Sequence, residues 1–210
     1  MKLTLIGIVL LNIAIFLSLV IYPIIFTSQN SSFYQYHFQN LSSDTGFDYR
    51  TNIQLSNQIT KYLITGQGMP VELMSQRAVV HMLDVRGIFY RAIFLPILII
   101  ISASLVLIIS GKQIKYHHIL PAPLFVLIFL GSLLLGDQKV FDFIFLKFHQ
   151  LFYTNDLWML EEGDLLLKLY PEEFFLRLAY FSGAITLIAS VIITLLIIYR
   201  QHQRNNHAVH

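Results

Sequence analysis

The chain of 210 residues contains no cysteine. That excludes disulfides, thiolate metal sites and any thioester-forming nucleophile of its own. Charge is scarce as well. Asp, Glu, Lys and Arg make up 12% of the residues, where a soluble domain carries about 25%. The net charge of +2 supplies no strong basic field, so nucleic acid is not an expected partner. No H-E-x-x-H or similar close histidine pair is present, which removes the commonest zinc motif. There is no internal repeat, and no low-complexity tract beyond the polar C-terminal tail.

Apolar residues are abundant, at 56% of the chain with a mean hydropathy of +0.65. A membrane protein is the class these numbers indicate. Crossing a hydrocarbon core takes about 20 residues, and four stretches qualify, over about 3–26, 88–109, 119–136 and 178–199. The first is broken only by Asn12, Ser18 and Pro23. Its trailing "IYPIIFTSQN" offers no small-x-small cleavage pattern, so a retained span is expected rather than a signal peptide. Pro121 and Pro123 fall in the first turn of the third span, where proline is tolerated. No charged residue lies deep in a span, which argues against transport.

Lys2, "GKQIKYHH" between the second and third spans, and "YRQHQRNNHAVH" at the end are basic and contain no acid. The positive-inside rule makes all three cytoplasmic. The expected architecture is an all-α integral membrane protein forming a single membrane domain, 1–210. It has four transmembrane helices, both termini inside and a cytoplasmic tail at 200–210. Two outer segments, about 27–87 and 137–177, form a cap. The second carries Asp137, Asp142, Asp156, Glu161, Glu162, Asp164, Glu172 and Glu173 against Lys139, Lys147, Lys168 and Arg177, an acidic excess suited to the outer face.

Within the first outer segment "SSDTGFDYR" reads as a turn-rich loop. The spacing of Ile53, Leu55, Ile59, Leu63 and Ile64 then predicts a helix. "GQGMP" breaks it, and Pro70 opens a second helix that continues through His81 towards the second span. On that helix Arg77, His81, Asp84, Ile88 and Arg91 follow steps of four and three and share a face. An aspartate beside an imidazole fixes its tautomer and stabilises its charged form, as a general base requires. A solvated polar stripe on an interfacial helix has the same pattern.

The second outer segment contains "FHQLFYTNDLWML", residues 148–160. His149, Tyr153 and Asp156 share a face if this stretch is helical. Trp158 and the tyrosines alone would be an ordinary aromatic belt; a histidine with Asn155 and Asp156 beside it is less ordinary. Each outer segment thus supplies one histidine and a carboxylate near a span end. His37 is expected to be more exposed and without such neighbours. His117, His118, His202, His207 and His210 fall on cytoplasmic flanks.

"HMLDVRGIF" (81–89) resembles the H-M-x-D-V-basic-x-h-F element of the lipoprotein intramolecular transacylases (Lit), four-span membrane proteins of low-GC monoderm bacteria. "FHQLFYTNDLW" (148–158) is similar to their F-H-x-x-F-aromatic-x-N-D-x-W element, and "DLLLKLYPEEFF" (164–175) to their D-x-L-h-x-h-h-P-x-x-F-F. Length, span count and motif order agree over most of the chain. Arg86 stands where the family usually has lysine, and Gly163 where it usually has proline. The resemblance implies a multi-pass protein of the bacterial cell membrane with its active site facing outside. The substrate it implies is a diacylglyceryl lipoprotein in membrane lipid. The sn-2 acyl chain moves to the α-amine of the N-terminal cysteine, giving the lyso-form, with no metal or organic cofactor.

The residue chemistry suits such a transfer. His81 and His149 would be the acid-base pair, and Asp84 and Asp156 would orient them or hold the substrate ammonium. Asn155, Arg86 and Tyr153 would stabilise the oxyanion or the glyceryl oxygens, while Trp158 would guide acyl chains. Two alternatives stand beside it. One is a metal-dependent membrane hydrolase using His81, Asp84, His149 and Asp156 as ligands. The other is a non-enzymatic docking protein.

Overall fold

The computed structural model describes residues 2–40, 45–111, 115–134 and 138–207. Among these every regular element is helical. In chain order they are α1 (Lys2–Ser28), α2 (Ser31–Asn40), α3 (Tyr49–Thr65), α4 (Gln76–Ser110), α5 (Pro121–Leu134), α6 (Gln138–Phe152), α7 (Leu165–Leu169) and α8 (Glu172–His207), with 3-10 turns at Val71–Leu73 and Tyr116–His118. Three of them, α1, α4 and α8, are long and apolar enough to cross a membrane. The 14 residues of α5 rise only about 21 Å. Residues 135 and 136, which the sequence assigns to the end of that span, lie outside the described residues.

The helices extend further than the hydropathy indicates. The second and fourth spans, expected from 88 and 178, belong to helices that start at Gln76 and Glu172. The expected helix from Pro70 begins later. Pro70 precedes a 3-10 turn, and α4 starts only at Gln76.

The chain divides into two compact units. The first comprises Met1–Ile24, Ala92–Leu135 and Ser182–His210. Its polar side chains serve backbone groups. Asn12 donates to His118 O at 2.7 Å and accepts from Ala122 N at 3.0 Å, so α1 caps the start of α5. Thr186 Oγ1 donates to Leu19 O at 2.9 Å, and Tyr22 OH to Ile93 O at 3.1 Å. Ser182, Thr186, Ser190 and Thr194, four residues apart, are all buried, the small-residue packing usual between membrane helices. A Cβ at Gly7 would stand 2.6 Å from Leu107 Cγ. That position therefore requires glycine for close approach.

The second unit comprises Ile25–Arg91 and Gly136–Phe181. Leu55, Ile59 and Tyr62 repeat at helical spacing on α3 and bury with Phe33, Tyr34 and Phe38 of α2, Ala78 and Met82 of α4, Leu165, Leu166 and Leu169 of α7, and Phe174. Each large aliphatic or aromatic group in such a core contributes about 1.5–3 kcal/mol. The ends of α3 are fixed locally. Asp48 accepts from Thr51 N at 2.7 Å, and Gly66 at φ 74° closes the helix with its N–H on Tyr62 O. His37 is fully buried, contrary to its expected exposure. It sits 4.9 Å from the Phe174 ring, with Nε2 3.3 Å from Leu169 O.

Candidate active site

The site is built within the second unit from the charged first third of α4, the end of α6 and the turn that follows. The steps of three and four expected on α4 hold, because residues 76–91 are helical throughout. His81 is buried against the end of α6. Its ring lies 6.4 Å from that of His149, stacked at an interplanar angle of 30°, and 5.0 Å from the Tyr153 ring. His149 in turn stands 5.5 Å from Tyr153, 5.0 Å from Trp158 and 4.3 Å from Phe145. Two imidazoles from different helices thus sit in one aromatic cluster.

The protonation of His149 is fixed by its backbone partner. Nδ1 lies 2.7 Å from Phe145 O. A carbonyl only accepts, so Nδ1 carries the hydrogen and Nε2 keeps its lone pair. Burial lowers the proton affinity of this ring, against the pull of the Phe145 carbonyl. His81 is lowered to about 4, first by burial and next by His149, with Asp84 and Asp164 acting the other way. Burial thus favours the neutral form of both rings, each with a ring nitrogen free of hydrogen, and makes both weaker bases than free imidazole. Burial, then Asp84, pushes the Tyr153 hydroxyl up to about 12, which keeps it a neutral donor.

The helix ends at Phe152, so Asp156 is not on one helical face with His149 and Tyr153. Tyr153 reaches the rings because its N–H still closes the last turn on His149 O. Beyond it, Asn155 Oδ1 accepts from Leu157 N at 3.0 Å, an Asx turn that redirects the backbone. The same Asn155 donates from Nδ2 to Asp84 Oδ2 at 2.9 Å. Asp156 is exposed, and its main-chain oxygen accepts from Arg77. A cavity of about 150 Å³ opens beside this turn, lined by Asp84, Ile88, Arg91, Phe152, Tyr153, Thr154 and Asn155.

Arg86 lies on another face of α4. Its guanidinium is 4.9 Å from the Tyr90 ring and 5.8 Å from that of Tyr62, close against Gly66. Of the residues the sequence singles out, the structure gathers His81, His149, Tyr153 and Trp158 as rings and Asp84 with Asn155 as a hydrogen-bonded pair. Arg86 and Asp156 engage other partners. Sequence reasoning missed Phe145, whose carbonyl sets the His149 tautomer; its i−4 position is the only available signal. Among the described residues no three His, Cys, Asp or Glu side chains gather as a metal-holding group.

The model of one protein family, "Lipoprotein intramolecular transacylase Lit", matches residues 6–175, well over half of the chain. The chain belongs to the Lit family. It is accordingly an enzyme, an acyltransferase of lipoprotein maturation, and the family name makes a lipoprotein its substrate. The fold agrees. The membrane integral lipoprotein intramolecular transacylase Lit from Bacillus cereus superposes with a TM-score of 0.80 at 19% identity, over 97% of this chain and 98% of that one. A variant of that protein with a histidine-to-arginine mutation superposes at 0.75 and 18% identity, over 98% and 95%. One with a histidine-to-alanine mutation gives 0.73 and 17%, over 97% and 96%. Among curated protein sequences the chain has no match.

Proposed function

We propose that this Lit-family enzyme moves the sn-2 acyl chain of a diacylglyceryl lipoprotein to the α-amine of its N-terminal cysteine, with His81 and His149 carrying the protons. The observation that carries this reading is the facing pair of neutral imidazoles, 6.4 Å apart. The reaction converts an ammonium and an ester into an amide, an alcohol and one released proton. The α-ammonium, with a pKa of about 8, must first lose a proton. Half-buried His149, with its lone pair fixed on Nε2, takes that proton and passes it to solvent. The neutral amine attacks the ester carbonyl. His81 takes the second nitrogen proton from the tetrahedral intermediate and returns it to the departing glycerol oxygen.

The rest of the cluster serves this exchange. Asp84, held by Asn155, attracts the substrate ammonium into the cavity, where Arg91 offers a cation to the peptide backbone that follows the cysteine. The neutral hydroxyl of Tyr153 donates to the oxyanion. Trp158 and the phenylalanines of α6 guide acyl chains. Asp156 acts through its backbone, and Arg86 braces α4 against α3 rather than touching substrate. Amine and ester belong to one lipid-modified residue, so binding it in a single site makes the attack intramolecular. Residues 3–26, 88–109, 119–136 and 178–199 form the four spans, with both termini cytoplasmic and the histidines outside, as the basic flanks indicate.

The test is mass spectrometry of the N-terminal lipopeptide in a bacterium that makes only diacylglyceryl lipoproteins. Expression of this chain should yield an isomass lipopeptide with one acyl chain amide-linked to cysteine and a monoacyl glycerol. His81→Ala and His149→Ala, inserted normally, should leave it diacylglyceryl. Conversion at the wild-type level by either variant removes that histidine from the mechanism.

A further inference from the structure

One buried carboxylate has no part in the scheme above. Asp164 begins α7, its Oδ1 accepting from Leu166 N at 3.0 Å, and is only 8% exposed. Its Oδ2 is buried with no hydrogen-bond partner among the described residues. Capping does not require this. Asn or Ser caps a helix start as well as Asp, and burying a charged oxygen without a donor is costly. The charge therefore needs another explanation.

A second unpartnered atom supplies one. Nδ1 of His81 is also buried and also lacks a hydrogen-bond partner among the described residues. Leu165, Leu166 and Leu169 of α7 belong to one core cluster with Ala78 and Met82 of α4, so the start of α7 and the helical turn that carries His81 border the same core. The Asp164 charge reaches the His81 ring and favours its protonated form. Asp84 acts in the same direction from α4 itself but is already engaged by Asn155. His149, from α6, opposes both.

We propose that Asp164 is a positioning residue for His81. Its carboxylate, with Oδ2 buried and without a donor among the described residues, acts through space on the His81 ring and stabilises the imidazolium that forms in mid-reaction. Only protons move. The nitrogen proton of the tetrahedral intermediate goes to His81 and then to the glycerol oxygen, and none passes to Asp164. This rests on His81 being a proton carrier.

The experiment uses the full chain in detergent micelles with labelled histidine, comparing wild type with Asp164→Asn and Asp164→Ser, both of which keep a cap on α7. The expected result is conversion slowed about 100-fold, a titration midpoint of the His81 ring moved to lower pH, and an unchanged Tm. Conversion at the wild-type rate overturns the inference. So does slowed conversion with the His81 midpoint unmoved, because the effect is then structural. His81→Ala is run alongside. If it is inactive while Asp164→Asn converts normally, only the inference about Asp164 fails. If His81→Ala itself converts normally, the reading of His81 fails and takes the inference with it.

Discussion

Asn155 Nδ2 donates to Asp84 Oδ2 at 2.9 Å across 71 positions of sequence. The bond ties the turn after α6 to α4 and sets a carboxylate in the wall of the cavity. A hydrogen bond to a charged group contributes about 1.5–3 kcal/mol. Asn155→Ala should therefore slow conversion of the lipopeptide by about 10- to 100-fold, mostly as a higher KM. Asp84→Asn should be at least as severe. The readout is the rate of conversion in isolated membranes at varied substrate. A normal KM in Asp84→Asn would remove the ammonium-binding role.

The pH dependence of the reaction has a definite sign. Both histidines must be neutral to accept protons, and both have proton affinities below the ordinary imidazole value, His81 at about 4. The substrate amine, with a pKa of about 8, should by itself set a limb of about tenfold per pH unit below 8, and the histidines should add no further loss as pH falls through 6.5, where free imidazole already protonates. A pH–rate profile of conversion checks this. A second, steeper limb centred at about 6.5 would contradict neutral, buried rings.

Gly66 and Arg86 should be coupled in stability. At φ 74° and with a would-be Cβ only 2.8 Å from Arg86 Nη2, Gly66→Ala suffers both backbone strain and a clash. Arg86→Ala forfeits two cation–π contacts, each about 0.5–1 kcal/mol at partly exposed positions. Thermal unfolding should show that the double variant loses less than the sum of the two, since removing Arg86 relieves the clash and leaves only the strain.

His37 should make the second unit acid-sensitive. Its proton affinity is lowered to about 4, chiefly by burial, against about 6.5 in the unfolded chain. Between those values the unfolded chain binds more protons, so stability falls as pH drops from 6.5 towards 4. His37→Gln keeps a donor for Leu169 O and cannot titrate. Its Tm should vary less across that window than the wild-type Tm, as measured by circular dichroism.

Particular residues show how much of this the sequence contained. The face shared by His81 and Asp84 was legible because α4 keeps its 3.6-residue period from Gln76 onward. The helix over 53–64 was legible for the same reason and appears as Tyr49–Thr65. The face drawn through His149, Tyr153 and Asp156 held as far as Tyr153 and failed at Asp156. The Asn-Asp pair at 155 and 156 is turn chemistry, and it outweighed the aromatic spacing. The burial of His37 was hidden because α2 has no long apolar run; its cover comes from Leu169 and Phe174, more than 130 positions later. Asp164 was visible as one acid among eight and as the first residue of the 164–175 element, but its relation to His81 was not, since that depends on how α7 packs.

The bond from Ala122 N to Asn12 Oδ1 has a consequence for assembly. One opening N–H of α5 finds its acceptor on a helix synthesised more than 100 residues earlier. In lipid an unmet N–H costs several kcal/mol, so the start of α5 is more stable beside α1 than alone. It settles beside α1, and Asn12→Leu should leave it stranded at the interface, open to proteolysis, in chains whose other helices have already inserted.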